Sequence, residues 1–411
     1  MTITSNNPQT TSANSTQPNL ADTGPVFRDF DDDMLERFRA HAAIDDRNNQ
    51  FFDETHADLV ASGYYTATLP VHLGGGGLTM LEMARSQRRL AKFAPAPALA
   101  TCMHLYWTGA AADLSRLGMA GLDHVIDGAL AGQIYASGHA EAGNDVPVVL
   151  STTMAEPVEG GYRITGRKHF GSLGPVWTRN GFHAMDSSNP NNPTIVHAFA
   201  HRDDPGVTVV ENWDTIAMRS SQSHDVVLDS VFIPHERVAS VVPAGSGEDP
   251  VTGTAFLWAL VLISNVYIGI AERALELAIA SLHSKTSIGL DGRTLAHNPM
   301  LQHQVAEMWI ALDGVRDSLN MIATDWGSGI DYNPEWELRI AGAKQRTNDA
   351  VRFVVDVAMD VAGGSSIRSD TELSRLLRDS RAAAYHPPAS AIAHEGIGKA
   401  LLSIDPNGPR W

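Results

Sequence analysis

The chain has 411 residues, 43% of them hydrophobic and 19% charged, with a formal net charge of -17 and one cysteine, Cys102. A single cysteine excludes an intramolecular disulfide and a cysteine-built metal cluster. The acidic balance, without a basic run, argues against a nucleic-acid surface, where clustered Lys and Arg release counterions from phosphate.

The first 26 residues are mostly Ser, Thr, Asn and Gln. They cannot bury enough apolar surface to offset the entropy of ordering, so a disordered tail is expected. With no basic start, apolar stretch or small-residue cleavage site, the tail points to a cytoplasmic protein.

From 27 to 132 the pattern is helical. DDDMLERFRAHAAI opens with acids suited to a helix N-terminus, and TMLEMARSQRRLAKFA places Met80, Leu81, Met83, Leu90 and Phe93 at spacings compatible with one face. Between them, four glycines at 74–77 stop regular structure and permit a close backbone approach. From 133 to 242 the period becomes that of strands. VVLSTTMAEPVEGGYRITGRKHF carries two β-branched runs joined through EGG, a hairpin signal, and further alternating runs follow, so a small antiparallel β domain is predicted.

From 243 to 411 helix returns in longer units. AFLWALVLISNVYIGIA, from Ala255, is shorter than the ~20 residues a bilayer needs and contains Ser264 and Asn265, so it reads as a helix buried on all sides. Val305, Met308, Trp309, Leu312, Val315, Leu319 and Ile322 form a stripe on the next helix, as in a bundle. The fold class is α+β, mostly α: an N-terminal helical domain, a β middle domain and a C-terminal helical bundle. Close to the end, YHPPAS breaks the helix, because Pro387 and Pro388 lack donors and hold the residue before each extended.

The segment WDTIAMRSSQSHDVVLDSVFIPHERV, 213–238, resembles the acyl-CoA dehydrogenase superfamily. GYYTATLPVHLGGGG, ASGHAEAGND, ITGRKHFGSLG and AGGSSIRSDTELSRLLRD fall in the family's chain order. Together these segments span nearly everything after residue 30. The resemblance implies a C-terminal four-helix bundle, a flavin held between the β domain and that bundle, and a homotetramer. It does not fix the reaction.

The dehydrogenases need a carboxylate to take the proton α to a thioester, in most members a Glu in a Tyr-Glu-Gly-Thr context after the Arg-Asp pair. After Arg378 and Asp379 this chain reads SRAAAYHPPASAIAHEG, with His386 in that place, and TGTAFLWALVLISNVYIG, in the first bundle helix, contains no acid. The family's flavin-contacting threonine is Gly138, and its CoA-associated serine is Asn144. HPPASAIAHEGIGKALL is similar instead to the superfamily's flavin monooxygenases, the dibenzothiophene monooxygenase-like and amino-sugar N-oxygenase-like enzymes. These take reduced flavin from a separate NAD(P)H-dependent reductase, add dioxygen at C4a as a hydroperoxide, and pass one oxygen to a small substrate.

The resemblance implies roles for particular residues. His386 would manage the peroxide proton, as an imidazole can donate or accept near neutral pH; closure of a helix end on backbone carbonyls is the plainer alternative. His104 would lie over the flavin ring, against the alternative of a core histidine beside Met103, Leu105 and Trp107. Ser172 would reach flavin N5, with Ser137 a further flavin contact. Lys285, in KTSIG, and Gly363 and Gly364, in VAGGSS, would hold the flavin phosphate. Asp360 replaces the family's Gln before that turn, which favours reduced FMN over FAD. Phe256 and Trp258 would line the substrate pocket, although a buried helix needs such residues anyway. Arg219 is expected to be a structural anchor. The histidines show no metal spacing, so no metal is expected, and neither membrane nor nucleic acid is an expected partner. The alternatives are an acyl-CoA dehydrogenase with a relocated base, Glu248 or Glu141, and an inactive flavin-binding assembly subunit.

Overall fold

The computed structural model describes residues 27, 29–144, 148–246, 249–332 and 335–404. The expected tail lies outside them. Five helices come first: α1 (Asp32–Asn48), α2 (Asp53–Ala61), α3 (Met80–Ala91), α4 (Pro95–Arg116) and α5 (Asp123–Leu130). Asp31 caps α1 by accepting from the Met34 N–H, and Thr79 and Glu82 form a reciprocal capping box on α3. The four glycines make their close approach to the chain itself. A Cβ on Gly75 would fall 2.2 Å from the Leu69 carbonyl oxygen, and one on Gly76 2.6 Å from that of Ala67.

Eight strands follow: β1 (Tyr135–Gly138), β2 (Met154–Val158), β3 (Gly161–Gly171), β4 (Arg179–Asp186), β5 (Thr194–His201), β6 (Val207–Val210), β7 (His224–Pro234) and β8 (Val238–Pro243). They build one sheet in the order β6-β7-β3-β2-β4-β5-β8, with β1 against β4. The predicted hairpin is β2–β3, turning through Glu159 and Gly160, whose φ of 80° suits glycine. The sheet is mixed rather than antiparallel. β1 runs parallel to β4, Ser137 opposite Gly181, because residues 139–178 cross over through the β2–β3 hairpin and return the chain in the same direction. On the β3–β7 ladder the register slips between Lys168 and Gly171, and this irregularity turns Phe170 outward at φ 64°.

The C-terminal part is α6 (Pro250–Ser284), α7 (Pro299–Gly327), α8 (Trp336–Ala362), α9 (Glu372–Arg381) and α10 (Ser390–Leu401). Helices α6 to α9 pack together, and α10 lies on α8. α6 is long and apolar enough to cross a membrane, yet it forms the buried centre that packs against α3, α4 and α8. On α7, Met308, Leu312, Val315, Leu319 and Ile322 are buried as a 3-4 stripe. Trp309, expected on that stripe, is 51% exposed, because one residue of helix turns it about 100° away from Met308.

Candidate active site

Three segments meet around His386: the α9 end, the middle of α6, and α8. A short 3-10 turn, Ala382–Tyr385, finishes α9, and His386 then turns extended at φ -71° and ψ 138°. The next peptide, Pro387–Pro388, is cis. The His386 Nε2 lies 2.7 Å from the Tyr267 hydroxyl of α6. Burial, and then the Lys344 ammonium, bring the imidazole down to about 4, so it is neutral at pH 7. Burial and Asp379 push the Tyr267 phenol well above its ordinary value, so it keeps its proton. The pair therefore shares hydrogen between two neutral groups, and no hydrogen bond engages His386 Nδ1 among the described residues. Lys344 of α8 donates to the carbonyls of His386 at 2.6 Å and Pro388 at 3.0 Å. Tyr267 and Lys344 were not singled out from the sequence; the signal available was a phenol and an ammonium inside otherwise apolar helical stretches.

Asp379 is buried and raised to about 6 by that burial; its Oδ1 accepts from the Met218 N–H at 2.6 Å. It ties α9 to the β domain. Arg219 anchors the same region to the N-terminal helices, donating from Nε to the Asp46 carbonyl at 2.8 Å.

The residues expected to meet flavin fall into two groups. On the β domain, Ser172, Ser223 and Ser221 link their hydroxyls in a row, each step 2.8 Å. Three hydroxyl protons serve two bonds, which leaves one donor for a ligand. Beside them Phe170 is 56% exposed, its ring 6.0 Å from that of Trp213. An exposed aromatic on a strained backbone suits the flat face of a flavin, and this residue too was missed. At the far end of the bundle, the Lys285 ammonium donates to the Ala362 carbonyl and, at 3.1 Å, to Ser365 Oγ. It brackets Gly363, at φ 76°, and Gly364, and a Cβ on either would meet nothing within 4 Å. A cation beside an open glycine turn fits a phosphate. Asp360 is exposed on the last turn of α8.

The β domain's interior holds a second polar assembly. Glu141 and Lys168, both fully buried, pair at 2.6 Å. Glu141 also accepts from Thr153 N and Oγ1, Thr152 N, Ser151 Oγ and Asn144 Nδ2. Burial alone would raise this carboxyl, but Lys168 and those donors hold it well below the usual range. Its side chain is fully buried and both oxygens are taken up by donors, which suits Glu141 to a structural ion pair rather than to the work of a relocated base. Glu248 lies outside the described residues. Ser137 Oγ is 2.6 Å from His139 Nδ1, and the His139, His183 and His197 rings stack in turn at 5.3 and 6.1 Å. A Cβ on Gly138 would crowd Lys168 Cβ at 3.0 Å and Asn180 Nδ2 at 3.1 Å, so the position gives a dehydrogenase-type threonine no room. Asn144 is turned inward onto Glu141 and the Leu150 carbonyl.

Two expectations are corrected. His104 is buried with both nitrogens committed: Nε2 lies 2.7 Å from the Tyr65 carbonyl, and Nδ1 accepts from the Tyr135 N–H at 3.1 Å. It is a core histidine that joins α4 to β1, with neither nitrogen left for a flavin. Trp258 packs its ring against Gly109 of α4 and donates from Nε1 to Asp113 Oδ2 at 2.8 Å. Trp326 donates to the same oxygen at 2.7 Å, so Asp113 braces α4, α6 and α7. Trp258 is part of that brace and is 2% exposed. Phe256 is half-buried and packs on the core. Among the described residues no group of His, Cys, Asp and Glu converges as a metal site would.

Residues 261–390, which contain Tyr267, Lys344 and His386, match the family model "Acyl-CoA dehydrogenase, C-terminal domain". Those residues are an acyl-CoA dehydrogenase C-terminal domain. Over the chain as a whole, the similarity divides. YdbM of Bacillus subtilis, named as a candidate acyl-CoA dehydrogenase, is 28% identical over 373 residues, covering 90% of this chain and 95% of that protein. L-evernosamine nitrososynthase of a Micromonospora species is 26% identical over 404 residues, covering 94% and 92%. The solved structure of KijD3 with FMN and dTDP-3-amino-2,3,6-trideoxy-4-keto-3-methyl-D-glucose superposes with a TM-score of 0.81 at 25% identity, covering 92% and 93%. The superfamily's fold therefore spans the described chain, and the choice between its chemistries rests on the site.

Proposed function

We propose that this chain is the oxygenase component of a two-component flavin monooxygenase, using reduced FMN from a separate NAD(P)H-dependent reductase to oxygenate a small, largely apolar substrate at sulfur, nitrogen or an aromatic carbon. The observation that carries the reading is the neutral His386–Tyr267 pair, standing where the dehydrogenases hold a carboxylate. The dehydrogenases take the α proton with a carboxylate, and neither partner is one; an imidazole brought down to about 4 is a weak base. Reduced FMN, when bound, activates dioxygen so that one oxygen atom enters the substrate and the other leaves as water.

The chain's own residues supply the surroundings. Lys285 and the Gly363–Gly364 turn would hold the phosphate, Phe170 would offer a face to the ring system, and the Ser172 hydroxyl row would donate one hydrogen bond to its edge. The hydrogen bond between Nε2 and Tyr267 Oη holds the neutral imidazole in one orientation, so that Nδ1 can donate or accept a single hydrogen bond toward a bound group. The same reading has the chain assemble as a homotetramer in the cytoplasm. Ile288 at 98% exposure and Ile367 at 80%, both beside the Lys285 turn, support burial of that end against another copy.

The deciding experiment compares wild type and His386→Ala with reductase, NADH and oxygen. The variant is expected to keep its FMN affinity and release hydrogen peroxide instead of product, with coupling down by about a hundredfold, as loss of a positioned proton donor costs. Unchanged coupling refutes the role. Turnover of acyl-CoA thioesters with an artificial electron acceptor favours the dehydrogenase, and no gain of activity with the reductase favours an assembly subunit.

A further inference from the structure

The segment His386–Pro388 has a shortage of anchors that its own sequence creates. Pro387 and Pro388 carry no N–H, and no backbone–backbone hydrogen bond involves residues 386 to 388 among the described residues. Two side chains take over. Tyr267 holds the imidazole, and Lys344 holds the main chain by both carbonyls that flank Pro387. Asn348, one turn further along α8, completes the arrangement. In the amide orientation that satisfies both its ends, it donates to the Ala383 carbonyl and accepts from Lys344 Nζ, each at 3.2 Å. The three ammonium donors thus find three acceptors.

Lys344 is 2% exposed and has no carboxylate within ion-pair distance among the described residues, so burial brings it down to about 8 with nothing to offset it. Holding an ammonium in that place costs several kcal/mol of desolvation, about the range seen for buried ions. An apolar side chain would avoid the cost but leave the two loop carbonyls without donors.

We propose that Lys344 is a positioning residue, whose ammonium pins the His-Pro-Pro segment to α8 and so fixes the His386 imidazole against Tyr267. The proposal rests on the oxygenase reading for its functional consequence, although not for the pin itself. The charged and titratable groups facing His386 are Lys344 from α8 and Tyr267 from α6, with Asp379 of α9 acting on Tyr267.

The test uses the full-length protein. The His386 ring is followed by NMR over pH in FMN-free wild type and Lys344→Met, with the resonance assigned by its loss in His386→Ala. The expected result is titration in Lys344→Met at a pH higher by about one unit or more, as the nearby cation is removed and the ring loosens toward solvent. With reductase, NADH and oxygen, the same variant should release about tenfold more peroxide per turnover while FMN affinity holds within about twofold. Titration as in wild type overturns the pin, whatever the coupling. A shifted titration with coupling unchanged in both Lys344→Met and His386→Ala upholds the pin and removes the oxygenase reading instead. Should Lys344→Met fail to fold, Lys344→Arg is expected to fold and keep the wild-type titration; a folded arginine variant with a displaced titration also overturns the proposal.

Discussion

The β-domain interior around Glu141 and the His-Pro-Pro end of the bundle around His386 both bury ionisable side chains, but their hydrogen bonds close differently. Around Glu141 a carboxylate and an ammonium cancel, and the carboxylate oxygens are enclosed by donors from Thr152, Thr153, Ser151 and Asn144. Loose ends remain at Asn180 and at Nδ1 of His183 and His197, all buried and suited to an enclosed water rather than a ligand. Around His386 the cation meets only carbonyls, the imidazole meets one phenol, and one ring nitrogen is left over. The first arrangement fixes where strands lie. The second fixes one side chain and leaves it a free hand, which is what a site needs.

The largest effect that separates the two regions should come from acid. Burial is the largest cause that lowers the histidines: His104, His197, His201 and His386 to about 4, His139 to about 3, and His183 well below its ordinary value. Between about pH 6.5 and 4 the unfolded chain binds protons that the folded chain refuses, so stability is fully present above that window and falls as pH falls, by up to about 3 kcal/mol per buried histidine and by less for the half-buried His201. Asp379, raised to about 6, and Asp45, also raised by burial, oppose this. Four of these six histidines lie in β1, β4 and β5 or beside them, against one at the bundle end. Hydrogen exchange near pH 5 should therefore show β4 and β5 amides losing protection before those of α8 and α9. Simultaneous loss, or earlier loss in the bundle, would break the contrast.

Next in size is Glu141→Gln. It leaves Lys168 charged and buried without its counterion, and about 3–5 kcal/mol of folding stability should go, measured by denaturant unfolding. A variant that stays stable but loses turnover of an acyl-CoA thioester would return Glu141 to the role of base.

How much of this was legible follows from how far each signal reaches along the chain. The helix-to-strand changes at residues 130–135 and 243–250 are local in period, and the EGG hairpin is local in turn chemistry, so both appear in the residues themselves. The break at Pro387 is equally local, and it drew His386 out. The pairing of Glu141 with Lys168 spans 27 positions, and that of Tyr267 with His386 spans 119; nothing in either neighbourhood announces its partner. His104 misled for the same reason. Its sequence context gives a histidine among apolar residues, and only the crossing of α4 with β1 and the Tyr65 turn shows that backbone groups consume both nitrogens. Trp258 likewise looked like a pocket wall until Gly109 and Asp113, about 145 residues earlier, were brought against it.

The smallest expected effect is the most discriminating. Tyr267→Phe removes one hydroxyl from a packed site and leaves the ring, so folding stability should fall by only about 1 kcal/mol, the net worth of one hydrogen bond. Lys344 still holds the main chain on both sides of Pro387, so His386 should stay in place and FMN affinity should not move. If the phenol's hydrogen bond orients the imidazole during turnover, peroxide release should nevertheless rise about tenfold, the rate equivalent of about one hydrogen bond. Unaltered coupling in Tyr267→Phe, beside a strong loss in His386→Ala, would mean that the imidazole works through Nδ1 without the phenol and that the phenol is a structural brace. In that case the bundle end would resemble the β-domain interior more closely than its open nitrogen suggests, with one functional atom set in an otherwise structural frame.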